Sequence, residues 1–261
     1  MHEAALWVPI GDAAILSLTD GWIPRPGTDH SLIPVNAFLV RSMGRLILVD
    51  SGFGDKWTEE EPDLVRPGGS IVDGLRRAGV SPEDVELVIN THLHVDHAGG
   101  DTRFDPTRVT VAAFPNASYV IQAAEWSFAM APGRWSFLFR QDDFVPLTAS
   151  GHLRLIDGPL DVTDEVRCVP RPGHTPGHQV VEVVSQGQMA ILVGDALQSD
   201  AQVRDASIES QQDVDASQAA ATRDTLIGRA SEREAWLGMA HAGNGIRRFG
   251  LIGREATAAD A

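Results

Sequence analysis

Residues 91–97 read Thr91-His92-Leu93-His94-Val95-Asp96-His97, and they run on into Ala98-Gly99-Gly100. Four strong metal ligands therefore stand within six positions, with only Leu93 and Val95 between them. On an extended chain, alternation points His92, His94 and Asp96 the same way, and a turn into the small residues that follow brings His97 beside Asp96. Imidazole nitrogens and carboxylate oxygens suit Zn²⁺ and similar first-row ions. The apolar run 85–90 just before the cluster reads as a strand, which puts the ligands at a strand end.

The same pattern recurs downstream. Arg171-Pro172-Gly173-His174-Thr175-Pro176-Gly177-His178 precedes an alternating run at 179–185, and the apolar strand 190–193 delivers Gly194-Asp195. His241 follows Trp236-Leu237-Gly238-Met239-Ala240. Glycine or proline flanks these candidates and lets the backbone turn sharply. A site assembled at strand ends is held by the sheet yet stays open to solvent.

Composition narrows the function further. At 261 residues the chain buries a substantial core and is most simply one domain, 1–261. No apolar run approaches the ~20 residues that span a bilayer, and the N-terminus lacks the basic start and apolar core of a signal peptide. A lone cysteine, Cys168, excludes an intramolecular disulfide and fits a reducing cytoplasm; its place in the apparent strand 165–169 predicts buried packing. The formal charge is −15, from 36 acidic against 21 basic residues. Such a surface repels phosphates, and the isolated pairs Arg76-Arg77 and Arg247-Arg248 do not compensate, so nucleic acid is excluded as a partner.

Strand-like and helical segments alternate without a compositional break. Strands are expected at 13–18, 35–40 and 45–50, the last two joined by a turn at Met43-Gly44. A helix is expected at 70–78, with Ser70 as N-cap, Asp73 three residues on, and Ile71, Leu75 and Ala78 on one face. Strands at 110–113 and 118–122 continue the sheet, and 123–130 is helical with Glu125 exposed. A second half follows, with strands at 153–157, 166–169, 179–185 and 189–193, a turn at Gln186-Gly187, and an Ala-rich helix at 216–230 that turns Leu226 and Ile227 inward. Sheets with helices outside satisfy this order, giving an α/β fold, an αββα sandwich of two mixed sheets. Long loops at 53–69 and 131–151 carry Trp57, Trp135, Phe137, Phe139 and Phe144, aromatics that could wall an apolar pocket or support a dimer. His152 is expected to face solvent.

In this order the motifs resemble the metallo-β-lactamase superfamily of hydrolases, from 35–52 to the region after His241. The resemblance implies the same αββα fold and two divalent ions, zinc by default with Mn²⁺, Co²⁺ or Fe²⁺ as options. By it, His92, His94 and His174 hold one metal, Asp96, His97 and His241 the second, and Asp195 bridges them. Asp50, after the strand at 45–50, would orient a ligand imidazole, and His178 would donate hydrogen bonds that organise its loop. A hydroxide shared between the ions would attack a small-molecule ester, with Asp96 holding it and passing a proton to the leaving group.

Gly194-Asp195 separates the chain from β-lactamases proper, which lack an aspartate at the bridging position. The order of Asp195, Ala201-Gln202-Val203, the Ala-rich helix and His241 resembles the branch that contains methyl parathion hydrolase and quorum-quenching acyl-homoserine lactonases, enzymes that are often dimers. An N-acyl homoserine lactonase-like activity is therefore expected. Phosphotriester hydrolysis, a glyoxalase II-like thioesterase and a non-catalytic metal-binding or sensing protein are the alternatives. Many lactonases of another branch place a tyrosine shortly after the bridging aspartate to steady the carbonyl; here Tyr119 is the lone tyrosine and precedes the His174 motif. No Gly-x-Ser-x-Gly elbow supports a serine hydrolase.

Overall fold

Along the strand Leu32–Ser42, Ala37 and Leu39 face one way and Phe38 and Val40 the other, yet all four are buried. The split recurs at Arg45–Val49, where Leu48 opposes Ile47 and Val49, and at Leu87–Ile89, where Val88 opposes its neighbours. Strands that are apolar on both faces must be covered on both. The computed structural model, which describes residues 6–24, 32–56, 69–243 and 245–252, provides that cover.

One sheet has seven strands in the order Trp7–Ile10, Ala13–Pro24, Leu32–Ser42, Arg45–Val49, Leu87–Ile89, Ser118–Gln122, Leu153–Ile156. The other has six, Leu160–Asp161, Val166–Pro170, Gln179–Ser185, Gln188–Gly194, Trp236–Met239 and Ile246–Arg248. Phe38, Val40, Ile47 and Ile89 of the first meet Cys168, Val181, Val183 and Leu192 of the second in a central layer. Outside the first sheet, Leu39, Leu48 and Val88 pack on Ile71 and Leu75 of the helix Ile71–Arg77. Outside the second, Ile191, Val193 and Leu237 pack on Leu226 and Ala230 of the helix Ala216–Glu232. The expected αββα order stands. Each such buried Leu, Ile or Val contributes about 1.5–3 kcal/mol over exposure, so these layers outweigh any single cap, worth about 1 kcal/mol.

Local signals hold where the chemistry is local. Ser70 and Asp73 close a capping box on the helix Ile71–Arg77, and both predicted hairpin turns put consecutive residues at positive φ, Met43 and Gly44 in one, Gln186 and Gly187 in the other. Several expectations need correction. The strand begun at Ala13 runs to Pro24, with a bulge between Thr19 and Gly21, and a further edge strand, Trp7–Ile10, precedes it. Only Leu87–Ile89 of 85–90 joins the ladder, because Ser81 and Pro82 start a helical turn just before it. Thr110–Ala112 does not continue the large sheet but pairs with Thr102–Phe104 in a separate hairpin.

The segment 131–151 is not an open loop: it holds the short helical pieces Ser136–Leu138, Gln141–Phe144 and Pro146–Ala149. Pieces this short never complete the apolar period that marks a helix in sequence. Of its aromatics, Phe144 and Phe139 are buried, Trp135 is half-buried and Phe137 is exposed. Trp57 lies outside the described residues. His152 does not face solvent; it is half-buried, with Nδ1 2.8 Å from the Ala117 carbonyl oxygen and its ring against Tyr119. Among the described residues no helix is long and apolar enough to cross a membrane.

The parallel pairs set the stage for the site. Arg45–Val49 runs parallel to Leu87–Ile89, and Gln188–Gly194 to Trp236–Met239. Their carboxyl ends carry Asp50, the His92 cluster, Asp195 and His241. Asn36 ties the two sheets there, its backbone N–H donating to the Ala240 carbonyl (2.9 Å) and its side-chain amide to the Met239 carbonyl (3.2 Å).

Candidate metal centre

The cluster at 92–97 is not extended throughout, as alternation had suggested. Val95–Ala98 forms a helical turn after His94. That turn divides the cluster: His92 and His94 face His174, while Asp96 and His97 face His241. Three groups of converging ligand atoms result, His92/His94/His174, His92/His97/Asp195 and Asp96/His97/His241, each with its atoms within 4.8 Å of one another. All seven residues singled out from the sequence are thus brought together.

The imidazoles are oriented from behind. His97 Nδ1 lies 2.9 Å from Asp50 Oδ2, His174 Nδ1 3.2 Å from Asp213 Oδ1, and His241 Nδ1 3.0 Å from the Pro34 carbonyl oxygen. Each partner only accepts, so each Nδ1 donates and Nε2 is the atom turned inward. Asp50 acts as expected and is itself fixed, accepting from the Thr91 N–H at 2.8 Å and the Thr91 hydroxyl at 2.9 Å. It holds φ +60, a left-handed conformation rare outside glycine.

Inside, His97 Nε2 and His241 Nε2 stand 3.4 Å apart, and His174 Nε2 is 3.2 Å from His94 Nδ1. The buried Nε2 atoms of His92 and His94 meet no hydrogen-bond partner. Converging imidazole nitrogens beside carboxylates form a donor set that fits divalent first-row ions. The electrostatics agree. Burial, then the neighbouring imidazoles, hold His92 and His94 well below the usual histidine range, so both are neutral donors. For His97 and His241 burial works the same way but is outweighed, chiefly by Asp195 and Asp96. His97 is held well above its ordinary value and His241 is pushed up to about 10. Burial opposes ionisation of Asp96 and Asp195 too, yet His97 and His241 keep both carboxyls below their ordinary range. This pocket takes up positive charge.

Asp195 connects the groups. Its Oδ1 is 3.2 Å from Nε2 of both His97 and His241, and its Oδ2 is 3.5 Å from His174 Nε2. The ligand imidazoles are nearly sealed, whereas the Asp96 side chain keeps 18% of its exposure. The opening lies on the Asp96 side.

A family model described as the metallo-beta-lactamase superfamily matches residues 30–241 of this sequence. The chain belongs to the metallo-beta-lactamase superfamily. An N-acyl homoserine lactonase from Bacillus sp is 28% identical over 176 residues, which cover 62% of this chain and 63% of that one. The chain thus matches less than two thirds of that relative's length. Among solved structures, a probable metal-dependent hydrolase from Staphylococcus aureus superposes with a TM-score of 0.79 at 21% identity, covering 90% of this chain and 91% of that one. AidC, a dizinc quorum-quenching lactonase in complex with a product, superposes with a TM-score of 0.77 at 22% identity, covering 95% and 94%. These likenesses carry the metallo-beta-lactamase fold across the second half of the chain as well as the first.

Three residues of this superfamily site escaped the sequence reading or were misread. Glu125 is not an exposed helix glutamate; it is 1% exposed. Its carboxylate accepts from the Leu93 N–H (3.0 Å), the Thr175 hydroxyl (2.6 Å) and the Gly177 N–H (3.2 Å), joining the His92 cluster to the His174 loop. Asp213 was missed: besides His174 it accepts from the fully buried Arg223 at 3.0 Å, and burial, which disfavours its charge, is outweighed by these partners and the Ser210 N–H. His178 organises its loop as an acceptor, not a donor, with Nε2 3.2 Å from the Asp195 N–H. Burial lowers its pKa to about 3, so the ring is neutral and free to accept. Tyr119 is remote from the chemistry, its hydroxyl donating to the Asp101 carbonyl and accepting from the Phe114 N–H.

Proposed function

We propose that this chain is a metal-dependent hydrolase that opens N-acyl homoserine lactones. His92, His94 and His174 would hold one divalent ion, Asp96, His97 and His241 a second, and Asp195 would reach both, with zinc the expected metal. The observation that carries this reading is the division of Asp195, one oxygen toward each ligand group. The naming of the Bacillus relative and of AidC as lactonases supports the substrate class.

Ions bound in such a site polarise a carbonyl and lower the pKa of water, supplying a nucleophile at neutral pH without a protein one. The chain's own residues do the rest. Asp50 and Asp213 fix the imidazoles of His97 and His174, so the ligand cage does not reorganise during turnover. Asp96, the most open carboxylate of the set, accepts the proton of the attacking water and returns it to the departing ring oxygen. Bond order balances: a C–O bond forms from water, the ring C–O bond breaks, and the product is a hydroxy acid.

The test is proton release from an N-acyl homoserine lactone by zinc-reconstituted protein, with a chelator control. Chelator-sensitive ring opening is the expected result. No turnover by protein with confirmed metal would overturn the lactone reading and move the choice to phosphotriesters, aryl esters or thioesters.

A further inference from the structure

Alternation along the strand Val166–Pro170 puts Arg167 and Val169 on one face, and Arg171 follows just past the strand end. Val169 packs there with Leu226 and Ala230 of the helix Ala216–Glu232. Arg229, in the last turn of that helix, reaches the same face and pairs with Glu182 at 2.6 Å, itself the cross-strand partner of Arg167. Arg167, Arg171 and Arg229 together line a cavity of about 430 Å³, with Glu182 as its acid and Pro159 and Val169 as apolar walls. None of the proposed metal ligands lines it.

The three guanidiniums are unevenly satisfied. Arg229 Nη2 has Glu182, and Arg167 Nε has Asp161 at 3.2 Å, a pair open to water. Arg171 pairs with no carboxylate among the described residues; its Nη1 donates to the Pro170 carbonyl at 3.0 Å. The Nε–H groups of Arg171 and Arg229 are buried and meet no acceptor. Buried donors without an acceptor are exceptions in folded proteins, and one recurrent reason for them is a site for an ion. The chain has 36 acidic against 21 basic residues, yet here guanidiniums outnumber carboxylates.

We propose that this cavity is a binding site for a small phosphoryl-type oxyanion, with Arg171 and Arg229 as its main donors. The planar fork of a guanidinium matches two oxygens of a phosphate. Three forks converging from a strand, a loop and a helix suit a tetrahedral anion better than a carboxylate with two oxygens. The net charge of −15 turns away extended polyanions, whereas a small ion is held by short-range hydrogen bonds that salt screens little. The shared chemistry is the phosphoryl group, carried either by inorganic phosphate or by a small phosphate monoester whose organic part meets Pro159 and Val169.

The test titrates metal-loaded wild type, Arg171→Gln and Arg229→Gln by calorimetry with inorganic phosphate and with glycerol 3-phosphate, checking the metal content of each protein. Binding to wild type is expected to weaken about 10- to 100-fold in either variant, the loss of one charge-assisted donor. Tighter binding of the monoester than of inorganic phosphate assigns the site to a phosphorylated metabolite; binding no tighter assigns it to the free ion. Phosphate held only by the proposed metal centre would bind wild type and both variants alike, and that result, or no binding by wild type, overturns the proposal. Arg229→Gln also removes the partner of the buried Glu182, so a second measurement uses no variant. Crystals of the metal-loaded wild type soaked in selenate should show an anomalous peak between Arg171 and Arg229. Peaks confined to the metal centre or to other surfaces overturn the proposal.

Discussion

A buried carboxylate that only accepts is a sensitive joint. At Glu125 three donors converge on two oxygens, and Glu125→Gln turns an N–H₂ toward groups that are themselves donors. Denaturant titration is expected to show a loss of roughly 2 kcal/mol, and activity should fall because the His94 and His174 loops lose their common anchor. Asp213→Asn leaves Arg223 buried with its charge uncompensated, which costs about 3–5 kcal/mol, and weakens metal binding by about 10–100-fold, measurable by chelator competition. Cys168 offers a control. Burial pushes its thiol up to about 12, so at pH 8 the folded protein should not react with a thiol-specific disulfide reagent and should react promptly once unfolded. Fast reaction of the folded protein would mean that the strand Val166–Pro170 opens.

At the scale of elements, the strand Gln188–Gly194 is aimed by its last residue. Pairing with Trp236–Met239 slips between Leu192 and Gly194, and Gly194 takes φ +52. A Cβ there would meet Thr91 Oγ1 at 2.6 Å and His178 Nε2 at 2.9 Å. Gly194→Ala is therefore expected to displace Asp195 and lower metal content and turnover together; full occupancy and rate would contradict this account of the bulge. Asp195→Ala should reduce bound metal and cut turnover by at least about 100-fold.

The candidate ligands were legible in the sequence because each sits in a local motif, His92–His97 in one turn, His174 among glycine and proline, Asp195 and His241 after apolar strands. Glu125 and Asp213 were not, because their roles depend on partners that no local pattern announces. Glu125 meets Thr175 fifty residues on, and Asp213 meets His174 from thirty-nine residues away. A glutamate early in a helix reads as solvated until the loop that covers it is known. The layers were legible for the opposite reason: strands buried on both faces announce themselves by apolar composition alone.

At the scale of the molecule, the net charge of −15 bears on which esters approach. A neutral lactone feels no long-range repulsion, so its kcat/KM should be flat with added salt. An anionic thioester is repelled, and its kcat/KM should rise as salt shortens the Debye length below ~10 Å. Measuring both against ionic strength checks this; a salt-sensitive neutral lactone would contradict it.

The two sheets are also two consecutive stretches of chain. Every strand of the first lies within Trp7–Ile156 and every strand of the second within Leu160–Arg248. Each proposed metal group draws from both, His92 and His94 with His174, Asp96 and His97 with His241. During synthesis the first stretch can fold while the second is still being made, since chains assemble from the N-terminus. Its histidine cluster then waits, lacking the third ligand of either proposed group, until His174 and finally His241 leave the ribosome. On the proposed assignment, a chain that stops before His241 lacks one ligand of the second group, so only a chain that reaches that residue can complete both.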